Sequence, residues 1–432
     1  MSPGSKLDDR LRAVLVDAVG PSHVLVGDDL VAGYVTDWTG RWTGTAAAVV
    51  RPGSTDEVRA VVSACAAAGV PLVPQGGNTG LVGGSVPHRG EILLSLRRLD
   101  RLEPVDERAR EVTVGAGVTI GALQEHARRS GLEYGVDLAS RDSATVGGTI
   151  ATNAGGMHVV AHGDTRAQVR GLEVVFADGE VGSSLSGVAR ESTGPDPFEL
   201  LVGSEGSLGV ITAARLRLVP RIESETHVVL IGVDRLEDGL RYAVPGVGAV
   251  EFFDRACLEQ VMSHQGLPDP LSEETRFCVL VESAVLPDVP DGVPAVVDPR
   301  LWTYRESITE TISRIGVPTK LDVAVPSDRV DDFADAVRAL DFDGSVFLFG
   351  HLAEANFHVN VVDPSDPDRV VDAVLEVVVG MGGAIASEHG IGIAKAAWWR
   401  RSADPVLVSA ARRIKDALDP AGILNPEVFW RE

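Results

Sequence analysis

Hydrophobic and polar residues alternate most regularly over residues 46–74, where the pattern predicts a strand, a helix and a second strand. The apolar runs 46–50 and 70–73 are typical of buried strands. Ser54 and Glu57 have the spacing of a capping box, so the helix is expected to begin just after Ser54. Apolar residues then recur on one helical face: Val58, Val61, Val62 and Cys65. We expect a βαβ element that leads into a glycine-rich stretch.

Further elements are predicted before residue 220. Thr119 can cap a helix that runs to about Arg129. Residues 131–165 are rich in Gly, Ser, Thr and Asn and show no period, so we expect a long functional loop there. The predicted strands of this half are 92–96, 111–114 and 171–177.

After Pro220 the pattern changes to strands that alternate with helices. Residues 234–300 are proline-punctuated and carry no motif that we can assign. The predicted strands are 227–233, 277–283, 345–349 and 357–362. The predicted helices are 306–315, 328–340, 368–380 and 406–418.

These patterns predict an α+β protein with more than one domain, as a chain of 432 residues requires. The first domain is expected over 1–220, with its core at about 40–220. A second domain over 221–384 should combine an antiparallel sheet with helices. The segment 385–432 is expected to return to the first domain and to complete the site.

Composition and charge narrow the class of protein. Hydrophobic residues make up 44% of the chain, which is enough for packed cores. Subtracting 62 acidic from 39 basic residues gives a net charge of −23, which disfavours nucleic acid and anionic membrane surfaces as partners. No apolar run is long enough for an integral membrane segment, and residues 7–20 lack the apolar core of a signal peptide. We expect a cytoplasmic enzyme or binding protein.

The cysteines do not point to a redox or metal centre. Cys65, Cys257 and Cys278 are scattered, with no pair at the spacing of a metal or redox motif. Neither a disulfide framework nor a fused iron–sulfur module is therefore expected.

The glycine-rich stretch after residue 73 is the first candidate for chemistry. Gly76-Gly77-Asn78-Thr79-Gly80 can expose successive backbone N–H groups to a diphosphate, because no Cβ atom blocks the approach. The stretch has no Gly-Lys-Ser/Thr and opens no helix, so it fits neither a P-loop nor a Rossmann fingerprint, and an NAD enzyme is disfavoured. Taken alone, it is as consistent with a plain glycine-rich turn.

Two further segments, 146–156 and 203–209, are also rich in glycine. Three such segments suggest a large ligand with phosphate, sugar and ring portions. Together they resemble the FAD-binding domain of the vanillyl-alcohol oxidase (PCMH) type, which occurs in glycolate, D-lactate and D-2-hydroxyglutarate dehydrogenases. The resemblance runs from about Tyr34 to the C-terminus, and Pro74 to Pro87 is most similar to the D-2-hydroxyglutarate branch. It implies a PCMH-type domain of two subdomains followed by a cap domain for substrate.

The resemblance also implies a cofactor, FAD, and the residues that hold it. The first segment would bind the pyrophosphate, and the region of Ile211 would meet the adenine or the ring. His88 and His158 are the nearby candidates for a covalent link, but ordinary surface or loop histidines are more common, so we expect non-covalent FAD. The implied cofactor residues are Pro74, Gly76, Gly77, Asn78, Thr79, Gly80, Leu81, Ser85, Ser143, Thr145, Gly147, Gly148, Asn153, Gly155, Glu205, Gly206, Ile211 and Asn425.

A second constellation lies in the C-terminal half. His351 and His358 are seven residues apart near the ends of two predicted strands, and Glu388 and His389 lie in a later glycine-rich turn. A lone histidine pair at this spacing is more often structural, but a nitrogen and oxygen set suits Zn²⁺ or Mn²⁺. The resemblance implies that His351, His358 and Glu388 bind a divalent metal, zinc or manganese, and that His389 is the catalytic base.

One departure affects this constellation. The chain has Ala353-Glu354-Ala355 where members of the family have Gly-Asp-Gly. Alanine at either outer position is costly if the backbone there has a positive φ. The shape of the metal turn is therefore open at this point.

Substrate contacts are implied by a third group of residues. Arg305 and Thr309 are four apart and are expected to share a helix face, and Lys320 opens the strand after them. As isolated charges they would be ordinary surface residues. The resemblance implies that Arg305, Thr309, Lys320 and Asn356 bind a small anionic hydroxy acid. Because a dicarboxylate has a second charge to satisfy, Lys320 favours D-2-hydroxyglutarate over a monocarboxylate.

Several alternatives stay open. The same chemistry could act on D-lactate or glycolate, and a non-catalytic FAD-binding subunit belongs to a different class that the two alanines keep possible. The chain has no redox centre of its own beyond the implied flavin. An external electron acceptor is therefore expected, such as an electron-transfer flavoprotein, a quinone or oxygen, and a homodimer is possible.

Overall fold

The computed structural model describes residues 7–188, 193–194, 196–221, 226–271 and 273–430. The strands in these ranges are β1 Val24–Leu25, β2 Ala46–Val50, β3 Leu72–Gln75, β4 Glu91–Ser95, β5 Glu111–Gly115, β6 Leu132–Glu133, β7 Val169–Val175, β8 Val181–Ser183, β9 Val210–Arg217, β10 Val219–Pro220, β11 His227–Val233, β12 Val247–Asp254, β13 Phe277–Ser283, β14 Ala295–Val297, β15 Pro318–Ala324, β16 Ser345–His351 and β17 Asn356–Val362.

The helices alternate with these strands along the chain. The α-helices are α1 Asp9–Val19, α2 Asp28–Val31, α3 Thr55–Ala68, α4 Ile120–Arg128, α5 Val146–Thr152, α6 Val159–His162, α7 Thr165–Gln168, α8 Leu236–Leu240, α9 Arg255–Gln265, α10 Trp302–Glu306, α11 Ile308–Ile315, α12 Val330–Ala339, α13 Pro367–Gly380, α14 Ala396–Ser402 and α15 Pro405–Leu418. Short 3-10 helices lie at Pro21–His23, Pro197–Leu201, Pro299–Leu301, Ser327–Arg329 and Leu352–Glu354. Within the described ranges, none of the helices combines the length and the apolar character that a membrane span requires.

The chain folds into two units, and each is discontinuous in sequence. The first unit is formed by Met1–Gly156, Gly163–Arg221 and His389–Glu432. The second unit is formed by Met157–His162 and Ile222–Glu388. The C-terminal segment therefore belongs to the same unit as the glycine-rich segments.

The βαβ element predicted over 46–74 is present in the first unit. Ser54 Oγ accepts the N–H of Glu57 at 3.2 Å, and the Glu57 carboxylate accepts the N–H of Gly53 at 2.7 Å. This arrangement satisfies N–H groups that the first turn of α3 leaves without helical partners. Strands β2 and β3 do not pair with each other, because β4 lies between them and is parallel to both.

The C-terminal segment completes this sheet. Leu72 donates its N–H to Ile423 O at 2.8 Å, and Asn425 donates its N–H to Leu72 O at 2.9 Å. Ile423 and Leu424 are fully buried in the same hydrophobic core as α3 and the antiparallel sheet β5-β9-β7-β8. The segment after α15 thus acts as an extra extended partner of β3.

The structure corrects two expectations from the sequence and adds elements to a stretch that had no motif. Residues 131–165 are not one long loop, because α5 lies within them and Thr145 Oγ1 accepts the N–H of Gly148 at its start. The stretch 234–300, to which no motif was assigned, contains β12 and α9 as well as β13, which was predicted. Arg305 and Thr309 do not share a helix face: they lie in α10 and α11, and Arg305 is buried while Thr309 is exposed.

Within the described residues, the second unit is built on one sheet of seven strands in the order β14-β11-β13-β12-β16-β17-β15. Alternate residues of a strand point to opposite faces. One face is apolar: the rings of Phe252 and Phe357 lie 4.8 Å apart, and Phe333 of α12 packs at 4.8 Å on Phe357. Since these rings are fully buried, this face holds a tightly packed core.

The opposite face carries polar side chains across neighbouring strands. Glu251 of β12 is paired with His351 of β16, and Asp322 of β15 is paired with His358 of β17. Lys320 lies two residues before Asp322, so it is on the same face, about 7 Å along the strand. The sheet register therefore gathers the charged residues of four strands.

The turn between β16 and β17 has an unusual backbone. Ala355 has φ +49° and ψ +34°, which is the left-handed region, and its side chain is buried. Ala353 is not among the described residues with positive φ. Of the two alanines that depart from the glycines of the family, one is therefore held in a conformation that favours glycine.

We predict that Ala355→Gly destabilises the protein less than Ala353→Gly, because of the two alanines only Ala355 has a left-handed backbone. Relief of the left-handed strain should contribute about 1–2 kcal/mol at residue 355, against about 0.8 kcal/mol for the lost methyl group. The added chain entropy of glycine should cost about 0.5–1 kcal/mol at both residues, so relief of strain offsets the losses only at residue 355. Denaturant unfolding of both variants checks this prediction. Equal destabilisation by the two changes would contradict it.

Candidate active site

The glycine-rich segments of the first unit lie against one another. A Cβ atom added to Gly77 would lie 2.0 Å from Ser143 O, and one added to Gly76 would lie 2.2 Å from Thr145 Oγ1. A Cβ atom at Gly206 would lie 3.2 Å from Pro74. Only glycine permits this close approach at residues 76 and 77. The segments that contain residues 74–80, 143–148 and 203–209 thus form one cradle.

The first segment offers unsatisfied donors to a ligand. Among the described residues, no hydrogen bond uses the backbone N–H groups of 77–80, and these residues are partly or fully exposed. Arg97 lies beside them and donates to Gly77 O at 3.2 Å. Successive free N–H groups next to a guanidinium form a suitable site for an anion. The residues present therefore fit a diphosphate such as that of FAD.

Several side chains implied as cofactor contacts instead shape the cradle. Asn78 has φ +58°, donates from Nδ2 to Thr36 O at 2.8 Å and accepts from Ser85 Oγ at 3.0 Å. Asn153 caps α5 in the left-handed conformation, and its Nδ2 donates to Asp164 Oδ2 at 2.7 Å. These side chains hold the loops in place through hydrogen bonds within the protein. The atoms that the loops can offer to a ligand are therefore mostly backbone atoms.

The remaining implied cofactor residues also lie in the first unit. Asn425 donates from Nδ2 to Gly84 O at 2.8 Å and to Glu205 O at 2.7 Å, which ties the C-terminal segment to two of the glycine-rich segments. The others are Thr79, Gly80 and Leu81 after β3, Gly147 and Gly148 within α5, Gly155 after it, and Ile211 in β9.

His158, one of the two candidates for a covalent flavin link, lies in the second unit. It belongs to the short stretch Met157–His162, which packs against β12. Its Nε2 is 3.9 Å from Glu282 Oε1, and Trp302 Nε1 donates to Glu282 Oε2 at 2.7 Å. Its neighbours in the structure are thus side chains of the second unit.

The second unit brings together His351, His358 and Glu388, the three residues implied as metal ligands. Glu388 Oε2 is 3.4 Å from His351 Nε2 and 4.0 Å from His358 Nε2. One ligand atom of each residue lies within 4.8 Å of the others. Two imidazole nitrogens and a carboxylate oxygen at these separations could converge on a divalent ion such as Zn²⁺ or Mn²⁺.

Two acidic residues that the sequence did not reveal orient these side chains. Glu251 Oε1 lies 2.6 Å from His351 Nδ1, and Asp322 Oδ1 lies 3.6 Å from His358 Nδ1. Because a carboxylate only accepts, His351 donates from Nδ1 to Glu251, and Nε2 is the ring atom that faces Glu388. Asp322 Oδ2 also accepts the N–H of Glu388 at 2.7 Å. A carboxylate behind each histidine is typical of metal-binding imidazoles.

The electrostatics of this group favour a cation at its centre. Burial acts to raise the pKa of Glu388, but His351 lowers it to about 2. Burial acts to lower the pKa of His351, but the carboxylates of Glu251 and Glu388 raise it well above its ordinary value. Asp322 and Glu354 add two carboxyl groups to Glu251 and Glu388, and Arg305 lies 2.7 Å from Glu251. A divalent ion at the centre would supply the positive charge that the proton of His351 supplies without it.

The residues implied as substrate contacts have different surroundings. Arg305 is 8% exposed, pairs with Glu251 and lies 4.9 Å from the Phe349 ring centre, so its charge is already partly matched. Asn356 is buried and donates to Asp322 Oδ1 at 2.7 Å, while its own Oδ1 accepts no hydrogen bond among the described residues. Thr309 is exposed on α11. Lys320 is half-buried, and burial lowers its pKa.

His389, the implied base, directly follows Glu388 in the chain. The second unit ends at Glu388 and the C-terminal segment of the first unit begins at His389. The turn after it contains Gly390 and Gly392, both with positive φ, +79° and +51°. Each of these values favours glycine, which accounts for the glycine-rich sequence there.

Two protein families match separate parts of the chain. Residues 46–183 match the family described as FAD binding domain. Residues 294–428 match the family described as FAD linked oxidases, C-terminal domain. The first match covers two of the three glycine-rich segments, since 203–209 lies beyond it. The second match covers His351, His358 and Glu388 and most of the C-terminal segment.

Solved structures confirm the expected fold class. The p-cresol methylhydroxylase structure with substrate bound superposes with a TM-score of 0.77 at 15% identity, covering 99% of this chain and 98% of that chain. The 4-ethylphenol oxidase from Gulosibacter chungangensis superposes with a TM-score of 0.71 at 20% identity, covering 100% and 99%. The α+β, PCMH-type architecture predicted from the sequence is therefore correct.

Two relatives are similar in sequence over most of their length. The D-2-hydroxyglutarate dehydrogenase of Xanthomonas citri pv. viticola is 37% identical over 91% of this chain and 91% of its own. The mitochondrial D-2-hydroxyglutarate dehydrogenase of Bos taurus is 34% identical over 97% of this chain and 83% of its own. The chain thus belongs to the family of FAD-linked oxidases and dehydrogenases that contains the D-2-hydroxyglutarate dehydrogenases.

Proposed function

We propose that the protein is an FAD-dependent, metal-assisted dehydrogenase that oxidises a D-2-hydroxy acid, and foremost D-2-hydroxyglutarate, to the 2-oxo acid. The observation that carries this proposal is the convergence of His351 Nε2, His358 Nε2 and a Glu388 oxygen. A buried carboxylate lies behind each imidazole, at Glu251 and Asp322. A protein that only carried a flavin would have no need of this arrangement. The names of the relatives support the choice of substrate.

The metal ligands would be His351, His358 and Glu388. A divalent ion held there would act as a Lewis acid on the hydroxyl and α-carboxylate oxygens of the substrate. Glu251 keeps His351 in the tautomer whose Nε2 can bind an ion, and Asp322 fixes the backbone of Glu388. Zinc and manganese both suit two nitrogens and one oxygen.

The first unit would hold the flavin through backbone N–H groups of residues 77–80 and the segments packed on them. Bound FAD would supply the hydride acceptor. His389 would take the proton of the substrate hydroxyl, since imidazole exchanges protons near neutral pH. An external acceptor, such as an electron-transfer flavoprotein or a quinone, would then take the electrons.

The choice of a dicarboxylate depends mainly on Lys320. Lys320 is half-buried, and the alternation along β15 places it two residues from Asp322 on the polar face of the sheet. Arg305 is already paired with Glu251, so it contributes less free charge than its sequence position suggested. The second carboxylate of a dicarboxylate could accept from the ammonium of Lys320, whereas lactate and glycolate have no second carboxylate.

The first prediction is that D-2-hydroxyglutarate bleaches the flavin of the purified protein under anaerobic conditions. The oxidised flavin absorbance should disappear and 2-oxoglutarate should form in equal amount. D-lactate and glycolate are tested in parallel, with the L-enantiomer as the control for chirality. If no hydroxy acid of the panel reduces the flavin after metal is restored, the proposed function is wrong.

The second prediction concerns Lys320→Met. Loss of a charge-assisted hydrogen bond of about 1.5–3 kcal/mol should lower kcat/KM for D-2-hydroxyglutarate by roughly 10- to 150-fold. The value for D-lactate should change less than about threefold, because it has no second carboxylate. Arg314→Ala, which removes an exposed positive charge in α11, is the matched control. Equal losses on both substrates would remove the argument for a dicarboxylate.

The third prediction concerns the metal. His358→Ala should abolish bound metal and slow flavin reduction at least about 100-fold, while the flavin content stays at the wild-type level because the FAD residues lie in the first unit. Metal analysis of the protein and single-turnover flavin reduction are the measurements. His227→Ala, at an exposed position at the start of β11, is the control. Full activity after complete removal of metal by a chelator would refute metal assistance.

A further inference from the structure

The carboxylate of Glu205 binds a backbone turn whose role is not explained by the contacts described so far. Glu205 Oε1 accepts the N–H of Ile391 at 2.8 Å, and Oε2 accepts the N–H of Gly392 at 2.8 Å. All three residues belong to the first unit, which the chain re-enters at His389. The turn held by Glu205 is thus the stretch that directly follows His389.

This contact is closely packed. A Cβ atom added to Gly390 would lie 2.8 Å from Glu205 Oε1, and one added to Gly84 would lie 3.0 Å from Oε2. Gly390 also has φ +79°, so a side chain there is disfavoured on two grounds. The glycines around the carboxylate therefore leave it little freedom to move.

The backbone of Glu205 is held as firmly as its side chain. Glu205 has φ +50°, donates its N–H to Ala151 O at 2.8 Å and accepts Asn425 Nδ2 on its carbonyl at 2.7 Å. These hydrogen bonds hold the strained backbone conformation of Glu205, as expected where the surrounding structure fixes the position of a residue. Because both the backbone and the carboxylate of Glu205 are held, the residue can fix the turn precisely enough to orient a neighbouring side chain.

A carboxylate has a specific advantage at this position. It offers an acceptor oxygen to each of two successive N–H groups, whereas an amide would place an NH₂ against one of them. Its cost is desolvation, since Glu205 is 8% exposed and burial raises its pKa to about 7. Both oxygens are already used by the turn, which distinguishes this role from the cofactor contact implied by the sequence.

We propose that Glu205 is a positioning residue that acts through His389, by fixing the turn from which the imidazole of His389 extends. The proposal rests on the proposed function, because it assigns Glu205 to the proton transfer that His389 performs there. Glu205 touches neither substrate nor the transferred proton. Its contribution is to keep the backbone of the base in one conformation.

The test is anaerobic single-turnover flavin reduction by Glu205→Gln, with the rate expressed per bound flavin. Displacement of a base by about 1 Å can cost on the order of 100-fold. We expect the reduction rate to fall about 10- to 100-fold and its pH profile to shift, while KM changes little. Flavin content and the melting temperature are measured on the same samples, so a loss of folded protein is separated from a loss of rate.

A double-mutant cycle with His389→Ala gives the decisive readout. If Glu205 acts through His389, adding Glu205→Gln to His389→Ala should change the residual rate less than about threefold. A full 10- to 100-fold loss in that background would show that Glu205 acts independently and would overturn the proposal. An unchanged rate per flavin in Glu205→Gln alone would overturn it as well.

Glu427→Gln is the matched control. Glu427 is another buried carboxylate of the C-terminal segment, 6% exposed, and its ion-pair partner Arg89, at 3.1 Å, lies outside the turn. It should keep the wild-type rate and pH profile. The proposed function itself is judged on the wild-type protein, so its failure there is distinct from a failure seen only in Glu205→Gln.

Discussion

The hydrogen bonds to the buried carboxylate of Asp322 determine the arrangement of the candidate metal site. Asp322 is 1% exposed, and a buried charge without partners would cost several kcal/mol. It is satisfied by the N–H groups of Ser387 and Glu388, at 3.1 and 2.7 Å, and by the amide of Asn356. These bonds join β15 to β17 and to the segment Ser387-Glu388 at the end of the second unit. The separation of Glu388 from the two histidines follows from that requirement.

The predictable part of the fold is the part governed by local signals. The helix after Ser54 was recovered because its cap, its apolar face and its terminal glycine lie within one short stretch. The strands 227–233 and 277–283 were recovered with their bounds, because buried β-branched runs have few alternatives. The insertion of β4 between β2 and β3 involves partners far apart in sequence, and periodicity carries no information on it.

The unpredicted parts have physical reasons of the same kind. Helix α5 has two glycines and two threonines in seven residues, so its local propensity is low, and tertiary bonds such as Gly147 N–H to Ala116 O support it. Arg305 and Thr309 were separated by a break at Ser307 that the helical period did not show. Glu251 was missed in a stretch without a motif, although a charged residue inside the apolar strand Val247–Asp254 is itself a signal of a buried functional group.

The pairing of β3 with residues 423 and 425 has a consequence for biosynthesis. The ribosome releases β3 and the glycine-rich stretch early, but their hydrogen-bonding partners Ile423 and Asn425 are translated about 350 residues later. At about 5–20 residues per second the nascent chain carries an unfinished sheet edge for tens of seconds. During that interval the fully buried Leu72 lacks its final cover, so the nascent protein is exposed to misassociation until residues 423–425 emerge.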